Sequence, residues 1–131
     1  MVIDAERSRS AQLDADADAP YWMAMRNVTG IGPVRFDRLL TAFGTIRAAW
    51  EADTAALRRV IDRRSLESLV GYRRAADPEG DYAALRSEGI DVVTLRHESY
   101  PDLLREVPGP PPVIFLRGTI TMEDRRAVAI V

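Results

Sequence analysis

The chain has 131 residues, enough for one domain or for a small domain and part of a second. Hydrophobic residues make up 47% and charged residues 29%, the balance of a chain with a core, and no apolar run approaches the ~20 residues of a membrane-spanning helix. There is no cysteine and all 18 basic residues are arginine, which excludes disulfides, thiol catalysis, cysteine-held zinc and lysine Schiff-base chemistry.

The net charge of −2 conceals an asymmetry: residues 1–20 carry −3, residues 21–76 carry +5 and residues 77–131 carry −4. A basic middle between acidic flanks is where a polyanion would be met.

In chain order, residues 1–19 are polar, rich in Ala and Asp and without periodicity, which predicts a disordered tail. They lack the apolar segment of a signal peptide. Asp14-x-Asp16-x-Asp18 has the look of an opening calcium loop, but an EF-hand needs glycine and glutamate where Ala19 and Met25 stand. Residues 20–76 read as a compact domain of five short helices. Tyr21, Trp22 and Met25 share one helical face, and a turn over Asn27–Gly32 ends that helix. Pro33 stands where a first helical residue tolerates proline. Phe36, Leu39, Leu40 and Phe43 then form an apolar stripe that Gly44 ends. Ile46, Ala49 and Trp50 mark a third helix, Asp53 opens a fourth with Leu57, and Leu66, Leu69, Val70 and Tyr72 mark a fifth. Trp22, Leu39, Leu40, Phe43 and Trp50 are expected in one core.

Residues 77–131 change character. Asp77-Pro78 is a helix cap and first residue, and that helix stops at Gly89. Ile90–Leu95 reads as a strand, Tyr100-Pro101 opens a short helix, Pro108–Pro112 is an extended spacer, and Val113–Leu116 is a second strand. The closing run Ala127–Val131 is apolar throughout, as in a strand buried on both faces of a parallel sheet. It therefore reads as a strand whose sheet continues beyond Val131.

The most specific motif is Val28-Thr29-Gly30-Ile31-Gly32-Pro33-Val34. Two glycines one residue apart permit a tight turn and a close backbone approach. The helix that follows points unsatisfied N–H groups and a positive dipole end at the same place. That combination suits a DNA phosphate and needs no base reading. This is the helix-hairpin-helix pattern, with Gly30, Ile31 and Gly32 offering N–H groups and Arg35 and Arg38 offering charge. A dinucleotide fingerprint is excluded because Arg35 occupies its third glycine position and a helix precedes the turn. The pairs Arg58-Arg59, Arg63-Arg64 and Arg73-Arg74 are the remaining basic candidates. His97 is the lone histidine, and with Glu98 and Ser99 it forms neither a catalytic relay nor a metal site. No catalytic, metal or cofactor residues are expected.

Residues 21–131 resemble the N-terminal part of the DprA/Smf family of bacterial DNA-processing proteins. The resemblance rests on the hairpin Val28–Gly32, on Leu39-Leu40-x-x-Phe43-Gly44, and on the Gly89-Ile90 strand entry. It continues through Tyr100-Pro101-x-x-Leu104, Pro111-Pro112-Val113-x-x-x-Arg117-Gly118 and Ala127–Val131. It implies α + α/β architecture: a sterile-alpha-motif-like helical bundle over residues 20–76, then the start of a Rossmann-like domain over 77–131. It also implies a cytoplasmic, non-enzymatic protein of natural transformation that binds single-stranded DNA, loads a RecA-type recombinase and forms a homodimer when full-length. In that family the last strand runs into a Gly-Ser-Arg phosphate loop, and this sequence stops at Val131, before it. The competing reading is a helical module that docks a recombination partner without touching DNA.

Overall fold

The computed structural model describes residues 17–131, so residues 1–16 of the expected tail lie outside the described residues. Residues 17–19, assigned to that tail from their composition, belong instead to helix α1 (residues 17–26), where Ala19 is buried. Asp18 gives the reason. Its carboxylate accepts from Trp22 Nε1 at 2.6 Å on the next turn, and from the backbone N–H groups of Ile46 and Arg47 at 3.0 and 2.7 Å. It thus satisfies amides that a distant helix cannot satisfy by itself.

Four more helices follow: α2 (Pro33–Phe43), α3 (Ile46–Glu51), α4 (Thr54–Arg58) and α5 (Arg63–Arg73). Pro33 opens α2, and the left-handed Gly44 closes it with an N–H bond to the Leu40 carbonyl at 2.8 Å. Thr45, Asp53 and Asp62 cap α3, α4 and α5 through their side chains. Helices of five or six residues do not persist alone. A shared core holds them, with Trp22, Met25, Phe36, Leu39, Leu40, Ile46, Trp50, Leu57 and Leu69 buried and Phe43 packed against it. The Trp22 and Phe36 rings lie 4.8 Å apart, and Trp50 meets Tyr72 edge-on at 6.1 Å.

Helix α6 (Pro78–Ser87), capped by Asp77, leads into strand β1 (Asp91–Thr94). Helix α7 (Asp102–Arg105) and strand β2 (Val113–Leu116) follow, and a 3-10 turn spans Met122–Arg126. The strands pair antiparallel, with Val92 opposite Phe115 and Val93 opposite Ile114. The spacer Pro108–Pro112 is not uniformly extended. Gly109 adopts φ +61 and brings the segment against Pro33, at the start of α2.

One expectation needs correction. Residues 127–131 form no strand and are exposed, with Val128 at 83% and Ile130 at 95%. Apolar character supplies a drive to burial but no hydrogen-bonding partner, and β1 and β2 pair only with each other in a two-stranded sheet. Residues beyond 76 also reach the helical core. Val92 and Val113 join the buried cluster of the helices, the Tyr21 hydroxyl donates to Glu79 Oε1 at 3.0 Å, and Arg26 lies 5.2 Å over the Phe115 ring. The fold is mostly helical with one small sheet packed on it, which is compatible with the α + α/β class.

Candidate nucleic-acid interface

The glycine turn joins α1 to α2. Asn27 and Val28 donate back to the Ala24 and Met25 carbonyls, both at 3.1 Å, and the Ile31 N–H donates to the Val28 carbonyl at 3.1 Å. The Ile31 side chain is buried in the core, so Ile31 anchors the turn and its amide is already engaged. Gly30 has φ +89, and a Cβ there would stand 3.1 Å from Ser65 Oγ, so both conformation and space call for glycine. Gly32 differs. Its φ of −85° and ψ of −176° suit any residue, and nothing lies within 4 Å of where its Cβ would be. The close approach expected at both glycines is therefore compulsory within the fold only at Gly30.

Helix α2 begins on Gly32 with no side-chain cap, whereas α3, α4, α5 and α6 each begin on Thr or Asp whose side chain accepts a backbone N–H. No acidic residue sits in its first turn. The positive end of an 11-residue helix is thus open beside the exposed Gly32 and Val34.

Of the two arginines predicted to add charge here, only Arg38 is uncompensated. It is exposed, and among the described residues it has no acidic partner. Arg35 Nε instead donates to Asp62 Oδ1 at 2.7 Å. Asp62 also accepts from the Ser65 hydroxyl at 2.7 Å and the Ser65 N–H at 3.3 Å, and Ser65 Oγ lies 3.3 Å from the Gly30 carbonyl. These contacts lock the turn to the start of α5. The Ser65 hydroxyl has the largest effect on the Asp62 carboxyl, burial opposes it as the second largest, and with the Arg35 guanidinium and the Ser65 N–H also lowering it the carboxyl is held at about 2. Sequence reasoning passed over Asp62 and Ser65. The available signal was an aspartate three residues before a serine at a helix start, which marks a cap but not its long-range contact with Gly30.

The other basic pairs divide. Arg73 donates to the Trp50 and Ala52 carbonyls at 2.7 and 2.8 Å and is structural, while Arg63 pairs with Glu67 at 2.9 Å. His97 Nδ1 accepts from the Ser99 N–H at 3.0 Å and its carbonyl accepts from Arg105, so it serves the loop between β1 and α7. The motifs Tyr100-Pro101 and Pro111-Pro112 meet in space. The buried Tyr100 hydroxyl donates to the Pro111 carbonyl at 2.8 Å, and the Leu95 N–H donates to that of Pro112 at 2.9 Å. Those motifs form a clasp on the sheet. Among the described residues no helix is long and apolar enough to cross a membrane, and no group of three His, Asp or Glu side chains gathers to hold a metal.

Residues 91–131 match the family model described as DNA recombination-mediator protein A. Over 108 residues the chain is 32% identical to Protein Smf of Synechocystis sp., an alignment that covers 81% of this chain. The chain spans 27% of the length of that curated relative. No solved structure matches it.

Proposed function

The chain belongs to the DprA/Smf family, whose members are DNA-processing mediators and not catalysts, and from that premise we propose that it binds the DNA backbone without reading sequence. The observation that carries this reading is the open start of α2, a helix end without a side-chain cap beside a glycine turn, with Arg38, unpaired among the described residues, one turn further on. A phosphate there would meet backbone N–H groups and the positive dipole end together. In this reading residues 20–76 are a sterile-alpha-motif-like unit built on a helix-hairpin-helix, and residues 77–131 open a Rossmann-like domain. Single-stranded DNA, a RecA-type recombinase and a second copy are the partners of the larger protein, acting in the cytoplasm during natural transformation.

Two substitutions test the site, read by fluorescence anisotropy of mixed-sequence DNA over a range of salt. The parent chain is expected to bind with a Kd of about 10⁻⁴–10⁻⁶ M at physiological salt. Arg38→Ala should lower the log–log salt slope by roughly 0.7–0.9, the share of one phosphate contact. Gly32→Ser places a hydroxyl where α3 to α6 carry their side-chain caps. It should stabilise the fold by a few tenths of a kcal/mol and weaken DNA binding, because the serine oxygen takes the amides that a phosphate would use. If both variants bind as the parent does with an unchanged slope, the turn is structural and the protein-docking reading replaces this one.

A further inference from the structure

The ten arginines of residues 21–76 are not equally available. Arg35, Arg47 and Arg63 pair with Asp62, Glu51 and Glu67, Arg73 holds two carbonyls, and Arg26 covers an aromatic ring. Among the described residues the remaining five, Arg38, Arg58, Arg59, Arg64 and Arg74, have no such partner. Four of those five lie on α4 and α5 or at their C-terminal ends.

Arg58, Arg63 and Arg74 line an open groove of about 640 Å³ between α4 and α5, with Leu66, Val70 and Gly71 along it. Glu67 offsets Arg63, which leaves the groove with a surplus of positive charge. Helical periodicity sets residues 63, 67, 70 and 74 on one face of α5 and residues 62, 65, 69 and 72 on the other. The second face meets the turn, since Ser65 contacts Gly30 and the Tyr72 hydroxyl accepts from Asn27 at 3.3 Å. The groove therefore lies on the far side of α5 from the turn.

Gly71 points to an occupant. Glycine is the poorest helix former after proline, yet Gly71 sits exposed inside α5 with nothing within 4 Å of its missing Cβ and no left-handed φ. Nothing in the fold calls for glycine there. A bare backbone lets a bulky chain come close to the helix between the arginines. Arg63 and Arg74 stand roughly 16 Å apart along α5 at 1.5 Å per residue, a span that suits a run of phosphates and not a single anion.

We propose that this α4–α5 groove is a second nucleic-acid site, distinct from the glycine turn, that takes a phosphodiester backbone at the Arg58 and Arg74 guanidiniums and against the bare backbone of Gly71. Guanidinium forks match phosphate oxygens two at a time. The proposal rests on the DNA-binding reading above, and the two separate in one experiment. The full chain, Arg38→Ala, Arg58→Ala/Arg74→Ala and Gly71→Ala are titrated against mixed-sequence DNA over a range of salt, with melting curves for each. The groove double variant should lower the salt slope by roughly 1.4–1.8, two phosphate contacts. Gly71→Ala should raise the melting temperature and still weaken binding several-fold, a combination that a merely structural glycine does not give. An unchanged slope in the double variant while Arg38→Ala lowers it overturns the groove and leaves the turn standing. Gly71→Ala with undiminished affinity overturns the close approach at α5. No binding by the parent chain removes both sites. Polyglutamate bound as tightly as DNA, and lost in the same variants, overturns the nucleic-acid assignment in favour of an acidic protein.

Discussion

Asp62 is held by three contacts that all favour its ionised form: Arg35 Nε, the Ser65 hydroxyl and the Ser65 N–H. The Ser65 hydroxyl contributes most, and the carboxyl falls from an ordinary 3.8 to about 2. A folded-state pKa below the unfolded one gives stability that is present above about 3.8 and is lost as pH falls through about 2. Asp62→Asn is thus expected to unfold at lower urea than the parent at about pH 6, with the gap closing across that acid window. Urea midpoints measured stepwise from neutral to acid pH check this, and a gap that stays constant to the lowest pH contradicts it. The same residue governs the candidate site. While Arg35 is shared with Asp62, a phosphate at the turn must compete for it, and Arg38 is the better measure of backbone contact.

The elements of this fold are short, and their ends carry much of their definition. Helix α3 has six residues, too few to persist in water, yet it receives Thr45 from its own sequence and Asp18 from α1. Asp18→Ala removes the acceptor for two backbone amides and for Trp22 Nε1. We expect a loss of roughly 1–3 kcal/mol in urea unfolding, the scale of a lost cap with donors left unsatisfied. Truncation of the chain to begin at residue 20 should cost a similar amount, since the capping carboxylate departs with it. A truncated chain as stable as the parent would show that Asp18 is incidental. Sequence reading finds the helix at Tyr21–Met25 but not its start at 17–19, because Ala/Asp-rich composition describes how a segment behaves alone, and Asp18 acts on amides 28 and 29 positions away.

Across the whole molecule, the helices and the sheet share one buried cluster. Val113, 2% exposed on β2, and Val92 on β1 pack into the core that contains Trp22 and Trp50. Unfolding of the two parts should therefore be cooperative. Val113→Ala is expected to cost roughly 2 kcal/mol through lost burial and the cavity left behind. Because both tryptophans lie in the helical part, their fluorescence should report that loss with the same midpoint as far-UV circular dichroism. A fluorescence transition that stays in place while the dichroism moves would mean that the sheet unfolds separately.

Helices α2 to α6, the turn at Gly30, the caps at Asp53 and Asp77 and both strands were legible because each is written in neighbouring residues: apolar spacing, a capping side chain, a glycine or a proline. The family resemblance was legible for the same reason, as an ordered series of short motifs. Tertiary structure alone decided which arginines are occupied, because pairing depends on where residues 27 positions apart meet, as Arg35 and Asp62 do. It alone decided that Tyr100 closes on Pro111, and that Val92 and Val113 enter the helical core. It also left the apolar run at 127–131 without a strand. Local propensity is a property of the chain, whereas charge compensation, strand pairing and burial belong to the partners that folding brings together.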